Sequence, residues 1–256
     1  MGNAFRKKSC QITRAKTLTC STTITESKTS FRMIRSYKNR TLLLILINSI
    51  FVFLVTILFN WHYQSNDDVI MAWIASGNYF GSPDYHLVFI NVIYGLFVSL
   101  LYKILPSIEW YTILFLICHV ISITILLCNV LRIRTNKTTK ILIIAILYIL
   151  ETKMLMALQF TTTAGITATA SLFLILSRDK KEMLIGLSLF ILASLIRFHA
   201  AMLVGLVFLF FYPLYISLFK FHLLQFIILV IACVFATSFN LIDRVIYKTH
   251  PEWNYF

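Results

Sequence analysis

The residues best suited to chemistry are two adjacent aspartates, Asp67 and Asp68, which follow the first long apolar run of the chain. A carboxylate beside a membrane-spanning segment is energetically costly unless it faces water or serves a site. A third residue, Arg197, interrupts a later apolar run, and its planar guanidinium is suited to binding phosphate. Together these residues predict that the loop after the first apolar run is the catalytic part of a membrane enzyme.

Each of these residues also has a purely structural interpretation. Ser65 and Asp68 have the spacing of a capping box, and acidic residues in a first helical turn interact favourably with the helix dipole. Successive helical residues point about 100° apart, so only one of the two aspartates is expected to face a substrate. Arg197 could instead contact a lipid headgroup.

Further polar residues are expected on the same side of the membrane as the two aspartates. Gln159 could line the site or cap the helix that follows it. Glu151 and Lys153 lie two residues apart and therefore do not face each other on a helix. With Arg197, the candidate substrate-binding residues are Lys153, Asp84, His86, Gln159 and His199.

The composition predicts a membrane protein. Of the 256 residues, 59% are hydrophobic and 13% are charged, whereas soluble proteins have about 25% charged residues. The net charge of +13 is concentrated at the start of the chain, where residues 1–40 hold ten Lys/Arg and one acidic residue. A basic segment beside a span predicts a cytoplasmic N-terminus near anionic lipid, rather than a nucleic-acid partner.

The apolar runs and the positive-inside rule predict an all-α bundle of about seven spans. Residues 61–110 would form a first external loop with juxtamembrane helices, the first of them running from Asp67 to Ser76. Residues 86–105 are expected to lie in the outer leaflet, because the later basic loops then fall inside. The predicted spans are residues 41–60, 111–131, 141–158, 162–176, the two halves of 183–219 divided near Arg197, and 221–240.

These elements divide the chain into three parts. They are a basic, disordered cytoplasmic N-terminus (1–40), a transmembrane module (41–240) and an external tail (241–256). Two alternatives stay open at the ends of the sequence. Residues 1–32 are either native or an extension ahead of a start at Met33, and the chain either ends at Phe256 or is truncated there.

The pattern resembles the GT-C superfamily of membrane glycosyltransferases, which use polyprenyl-phosphate-linked sugars. The resemblance is carried by a first span, an external acidic motif on a juxtamembrane helix, a second outer-leaflet helix ending in LYKILP, and a span with a basic end. A more specific likeness is to uncharacterised bacterial surface-polysaccharide transferases. The matching residues are Asn66, Asp67, Asp68, Ser76, Gly77, Tyr79, Gly81, Pro83, Asp84, His86 and the segment LIRF at 195–198.

The resemblance implies an inverting sugar transfer from a lipid-linked donor to a glycan or lipid acceptor at the outer face of a bacterial cytoplasmic membrane. Asp67 or Asp68 would act as general base on the acceptor hydroxyl. Arg197, helped by Lys153, would stabilise the charge of the departing phosphate. No cofactor is certain, although Asp67 and Asp68 could hold Mg²⁺ or Mn²⁺. Family members usually carry further spans or an acceptor-binding domain after this module. This sequence departs from that pattern, so a partner subunit could supply the acceptor contacts.

Two rival functions stay open. A surface-polysaccharide polymerase uses similar lipid-linked substrates, but it is expected to depend on basic residues in large external loops, and this chain has few there. The other rival is a non-catalytic membrane subunit or a small transporter. A transporter is expected to show internal repeats and matched Gly- or Pro-broken helices, and the sequence shows neither.

Overall fold

The computed structural model describes residues 39–219 and 223–249. The predicted N-terminal segment up to residue 38, and the end of the predicted tail from residue 250, lie outside the described residues. The chain divides into two compact units at Leu46. Described residues of the first unit form only the start of a helix, and the contacts that build the fold lie within the second unit.

Nine helices and two very short strands follow one another in the described part of the chain, which confirms the prediction of an all-α fold. In order they are α1 (Asn39–Leu58), β1 (His62–Tyr63), α2 (Asn66–Ser76), α3 (Val92–Ile104), α4 (Trp110–Arg132), α5 (Lys137–Met156), β2 (Ala157–Leu158), α6 (Phe160–Ile175), α7 (Lys180–Ile196), α8 (Phe198–Phe219) and α9 (Leu223–Thr249).

Three of these helices, α1, α4 and α9, are long and apolar enough to cross a membrane. Crossing a bilayer core of about 30 Å takes about 20 residues in a helix. Helices α6 and α7 have 16 and 17 residues, and α5 carries lysines and a glutamate along its length. The described part of the chain therefore has three candidate membrane spans by length and composition, where the sequence predicted seven.

One end of the bundle, which we call the basic end, joins the last turn of α4 to the first turn of α7. Arg132 donates two hydrogen bonds, of 2.6 and 3.0 Å, to the two carboxylate oxygens of Glu182. Gln225, near the start of α9, donates a 2.8 Å hydrogen bond to the carbonyl oxygen of Leu176, which directly follows α6. The basic end therefore gathers the ends of α4 and α6 and the starts of α7 and α9.

The opposite end, which we call the loop end, carries the long connection between α1 and α4. The backbone N–H of Val92, at the start of α3, donates a 2.8 Å hydrogen bond to the Asp243 carboxylate of α9. The backbone N–H of Tyr111, at the start of α4, donates to the hydroxyl of Tyr102 near the end of α3. Both ends of α3 therefore lie at the loop end, and its 13 residues do not run from one end of the bundle to the other.

Helices α6 and α7 approach each other closely at a glycine. A Cβ atom at Gly186 would lie 2.8 Å from the carbonyl oxygen of Ser171 and 2.8 Å from the amide nitrogen of Ile175. Small side chains, including the buried Ala168 and Ala193, continue this interface. Small residues let two helix backbones pack closely where no aqueous hydrophobic effect drives them together.

The short parallel bridge between β1 and β2 ties the chain after α1 to the turn between α5 and α6. His62 and Tyr63 pair with Ala157 and Leu158, and the Gln64 N–H adds a 3.0 Å hydrogen bond to the Leu158 carbonyl oxygen. The sequence pattern did not predict this bridge. It fixes the position at which the chain enters α2.

Two helix boundaries matter for the site. The predicted break near Arg197 is confirmed, because α7 ends at Ile196, Arg197 is extended, and α8 begins at Phe198. Helix α9 continues past residue 240, its predicted end, as far as Thr249. The Asp243 carboxylate, which accepts the Val92 N–H, anchors this extra length against the loop end.

Candidate functional site

Helix α2 places its two aspartates in opposite environments. The helix begins after the extended residue Ser65 and ends at Gly77, whose φ of 87° is a left-handed conformation that glycine adopts without strain. Asp67 is exposed, whereas Asp68 is completely buried. The two side chains of adjacent helical residues therefore diverge, as the helix geometry predicts.

Asp68 is the junction between three helices. Its Oδ1 accepts a 2.9 Å hydrogen bond from the Tyr111 hydroxyl of α4 and a 3.1 Å hydrogen bond from the Phe160 N–H of α6. Its Oδ2 accepts a 2.8 Å hydrogen bond from the Ser65 hydroxyl. Ser65 makes no side-chain cap to the backbone of α2, so the capping-box interpretation does not apply.

The electrostatics of Asp68 follow from the same contacts. Burial raises the pKa of its carboxyl above the ordinary value, and the hydrogen bonds from Ser65, Tyr111 and Phe160 oppose that rise. The carboxylate has no exposed surface through which it could contact a substrate. The geometry therefore gives Asp68 a positioning role and leaves Asp67 as the accessible carboxylate.

Asp67 lies close to Arg197. Burial lowers the pKa of the Arg197 guanidinium, and the negative charge of Asp67 partly offsets that effect. Among the described residues, the Asp67 side chain makes no hydrogen bond or ion pair of its own. The two opposite charges thus interact through space without closing into a direct pair, and a ligand group could enter between them.

Arg197 is held over two aromatic rings. Its guanidinium carbon lies 5.4 Å from the ring centroid of Phe89 and 5.1 Å from that of Phe160, and the two rings are parallel to within 6°. Its Nη1 donates a 3.3 Å hydrogen bond to the Phe89 carbonyl oxygen. The Phe89 loop is anchored by the Asn91 N–H, which donates to the Leu195 carbonyl oxygen at 3.0 Å. A guanidinium stacked in this way keeps its donors oriented for an anion.

Phe160 connects the two halves of the site. Its backbone N–H binds the carboxylate of Asp68, while its nearly buried ring supports the guanidinium of Arg197. Asp68 is thus the residue that fixes α2, and with it Asp67, relative to Arg197. This link crosses 92 positions of sequence.

Asp84 and His86 form a separate pair. The His86 Nδ1 lies 2.7 Å from the Asp84 Oδ1, which also accepts the His86 N–H at 2.9 Å. The His86 ring packs edge-on against Tyr247 of α9, with centroids 5.7 Å apart. No described contact joins this pair to Asp67 or Arg197, and its observed contacts hold the loop against α9.

The remaining predicted site residues are dispersed around the loop end. Lys153 and His199 are exposed, and no described contact brings either to Arg197. Gln159 directly precedes α6, where its carbonyl oxygen accepts the Thr163 N–H at 3.0 Å and the Thr163 hydroxyl at 2.8 Å. Its side chain makes no cap to the helix.

The two aspartates do not fit a shared divalent cation. All three groups that surround the Asp68 carboxylate, those of Ser65, Tyr111 and Phe160, present hydrogen-bond donors rather than metal-binding oxygens. Among the described residues, no three histidine, cysteine or acidic side chains gather where they could hold a metal ion. Mg²⁺ and Mn²⁺ prefer several carboxylate and carbonyl oxygens.

Sequence reasoning missed a buried polar pair between α4 and α5. The Nδ1 of His119 lies 2.9 Å from the Oε1 of Glu151, and both side chains are completely buried. The Nε2 of His119 lies 3.1 Å from the Thr163 hydroxyl of α6. The Oε2 of Glu151 has no hydrogen-bond partner within the described part of the chain. The available signal was a lone histidine in an apolar run.

No family model, curated protein or solved structure matches this chain.

Proposed function

We propose that this chain is a membrane glycosyltransferase that moves a sugar from a polyprenyl-phosphate-linked donor to a glycan or lipid acceptor. The observation that carries the proposal is the juxtaposition of an exposed, unpaired carboxylate, Asp67, with a stacked guanidinium, Arg197. Such a site can accept a proton on one side and bind a phosphate on the other. Both groups are needed to break a sugar–phosphate bond with an incoming hydroxyl.

In the proposed reaction Asp67 removes the proton from an acceptor hydroxyl that lies within hydrogen-bond distance of its carboxylate. The hydroxyl oxygen attacks the anomeric carbon, and the bond from that carbon to the phosphate oxygen breaks. The phosphate leaves with the bonding electrons, and Arg197 stabilises its added charge. Attack from the face opposite the phosphate inverts the anomeric centre.

Asp68 serves the proposed reaction as a positioning residue. The hydrogen bonds that it accepts from Tyr111 and Phe160 fix the position of α2 and its rotation about the helix axis. A displacement of about 1 Å in a reacting group can cost about 10²-fold in rate. Loss of Asp68 would therefore reduce transfer through the position of Asp67.

The proposed orientation places the loop end outside the cytoplasm and the basic end inside, with α1 and α4–α9 as seven spans. It is supported by the opposite directions of successive helices between the two ends. It is also supported by the positive-inside rule. The connections at the basic end carry the residues Arg132, Arg134, Lys137, Lys140, Arg178, Lys180 and Lys181. A bacterial cytoplasmic membrane and a partner subunit that adds acceptor contacts belong to the same proposal.

The test is sugar transfer by the purified full-length chain in lipid nanodiscs, supplied with a panel of polyprenyl-phosphate sugars and scored by release of polyprenyl phosphate. We expect Asp67→Asn to reduce transfer by at least about 10²-fold and Arg197→Lys to reduce it strongly, because lysine lacks the planar fork. Lys103→Gln is the matched control, since it removes an exposed charge at the same end without touching a candidate site residue. Transfer by Asp67→Asn at the wild-type rate, with an unchanged melting temperature, would refute the proposal.

One observation favours a second candidate function, a small proton-linked transporter. Buried ionisable pairs such as His119 and Glu151 mark proton pathways in many membrane proteins. In proteoliposomes with a pH-sensitive dye, a transporter would move protons, and Glu151→Gln would abolish the movement while Asp67→Asn would not. If the chain is a glycosyltransferase, neither the wild type nor these two variants should move protons.

A further inference from the structure

A pocket of about 310 Å³ lies between α2 and the start of α4, at the loop end. Its volume falls at the small end of the range for ligand sites, about 300–1,000 Å³. The α2 residues that line it, Val69, Ala72, Trp73 and Ser76, have helical spacing and form one face. Asp67 projects from the opposite face of α2, so this pocket is separate from the site at Arg197.

Aromatic side chains form much of the pocket wall. Trp61, Tyr63 and Trp73 all line it, and the rings of Trp61 and Tyr63 stand nearly perpendicular, at 88°, with centroids 5.6 Å apart. Tyr63 is fixed by a 2.6 Å hydrogen bond between its hydroxyl and that of Thr112, and by the pairing of β1 with β2. The wall is therefore formed before a ligand arrives.

The charge of the pocket is negative. Among the described residues that line it, Glu109 is the only acidic one, and none is a lysine, arginine or histidine. The negative charge also acts on Tyr63. Burial raises the pKa of Tyr63 to about 12, and the negative charges of Glu109 and Asp68 add to the rise. An anionic group such as phosphate would be repelled.

We infer that this pocket binds an organic ammonium group, either on a lipid headgroup or on a free small molecule. The positive charge would lie beside Glu109, and the methyl or methylene groups around it would pack against Trp61, Tyr63 and Trp73. Aromatic faces attract cations through the negative side of their quadrupole. The inference goes beyond the proposed function, whose donor is anionic and binds at Arg197.

The test is a titration of the purified full-length chain with choline, followed by tryptophan fluorescence. The matched ligand control is 3,3-dimethyl-1-butanol, which has the shape of choline without its charge. We expect choline to bind saturably and methyl glucoside to give no response. The neutral compound should bind at least 10-fold more weakly than choline, because a tenfold change in affinity is roughly the contribution of one cation–π or ion contact. Equal binding of the charged and neutral compounds, a saturable response to the glucoside, or no response to choline would overturn the inference.

Two variants locate the site. Glu109→Gln should weaken choline binding about 10-fold without changing the melting temperature, because Glu109 is exposed. Trp110→Phe should bind choline like the wild type, because Trp110 is outside the pocket, with its indole N–H on the Leu105 carbonyl. Unchanged binding by Glu109→Gln, or loss of binding in Trp110→Phe, would refute the placement.

The source of the ammonium group is distinguished with nanodiscs. If the natural ligand is a lipid headgroup, phosphatidylcholine nanodiscs should weaken the apparent affinity for free choline relative to phosphatidylglycerol nanodiscs. If it is a free molecule, the affinity should be the same in both lipids. Either result supports an ammonium site. If choline failed to bind in both lipids, the inference would be overturned.

Discussion

Replacing Asp68 with alanine would leave two buried donors, the Tyr111 hydroxyl and the Phe160 N–H, without an acceptor. A buried donor that loses its partner costs about 1–3 kcal/mol. The Ser65 hydroxyl is only partly buried and can bind water instead. The removed charge was itself costly to bury, which offsets part of the loss. We therefore expect the variant to lose about 2–4 kcal/mol of unfolding free energy.

The assay is thermal unfolding of the purified protein in detergent, in which this loss should lower the melting temperature by roughly 5–15 °C. Two variants serve as controls. Asp68→Asn keeps an oxygen acceptor for both donors and should lose less than about 1 kcal/mol. Asp67→Ala alters an exposed side chain and should stay within about 0.5 kcal/mol of the wild type. An unchanged melting temperature in Asp68→Ala, or an equal loss in Asp67→Ala, would refute the junction role of Asp68.

The pH dependence of stability checks the same residue independently. Because burial raises the pKa of Asp68 above 3.8, the native protein binds more protons than the unfolded chain between the two pKa values. Stability therefore falls as pH rises through that window. The wild type should lose stability relative to Asp68→Asn as the pH rises from about 4 toward neutrality. If the wild type instead gained stability relative to Asp68→Asn as the pH rises, the raised pKa of Asp68 would be contradicted.

Two further predictions concern packing and the buried pair. Gly95→Ala should destabilise the fold by at least about 2 kcal/mol, because its Cβ would overlap the Tyr85 carbonyl oxygen. Gly165→Ala, with open space around the new Cβ, should instead stabilise α6 by about 0.5–1 kcal/mol. Thermal unfolding of both variants measures the difference, and equal melting temperatures would contradict it. Glu151→Leu should cost about 1–3 kcal/mol, because it leaves the Nδ1 of His119 buried without its partner. Adding His119→Leu should recover most of that loss in a double-mutant cycle. Additive losses would show that the two residues do not act as a pair.

Local signals in the sequence were enough to predict several elements of the fold. Helix α2 was predicted from its aspartates and from Gly77, and the break at Arg197 from a charged residue inside a run too long for one span. Helix geometry predicted that the two aspartates would diverge. Which of them turns inward depends on Tyr111 and Phe160, and the spacing of the two aspartates holds no information about those contacts.

Long-range contacts account for most of what the sequence could not predict. The partners His119 and Glu151 lie on different helices, 32 positions apart, and each resembles an isolated polar residue. The bridge between β1 and β2 has two residues in each strand, too few to produce a periodic pattern. The end of α9 was predicted too early, because the contact of Asp243 with the loop end extends a helix whose apolar run had finished.

The connection between α1 and α3 is held by parts of the chain that are synthesised much later. Asp68 binds Phe160 across 92 residues, and Asn91 and Val92 bind α9 across 148 and 151 residues. Because domains generally form as the chain emerges from the ribosome, starting from the N-terminus, this early segment must wait for α6 and then α9. The groups proposed for catalysis therefore come together only after α9 has been made. A nascent chain that stops short of α9 has its aspartates but lacks the contacts that place them.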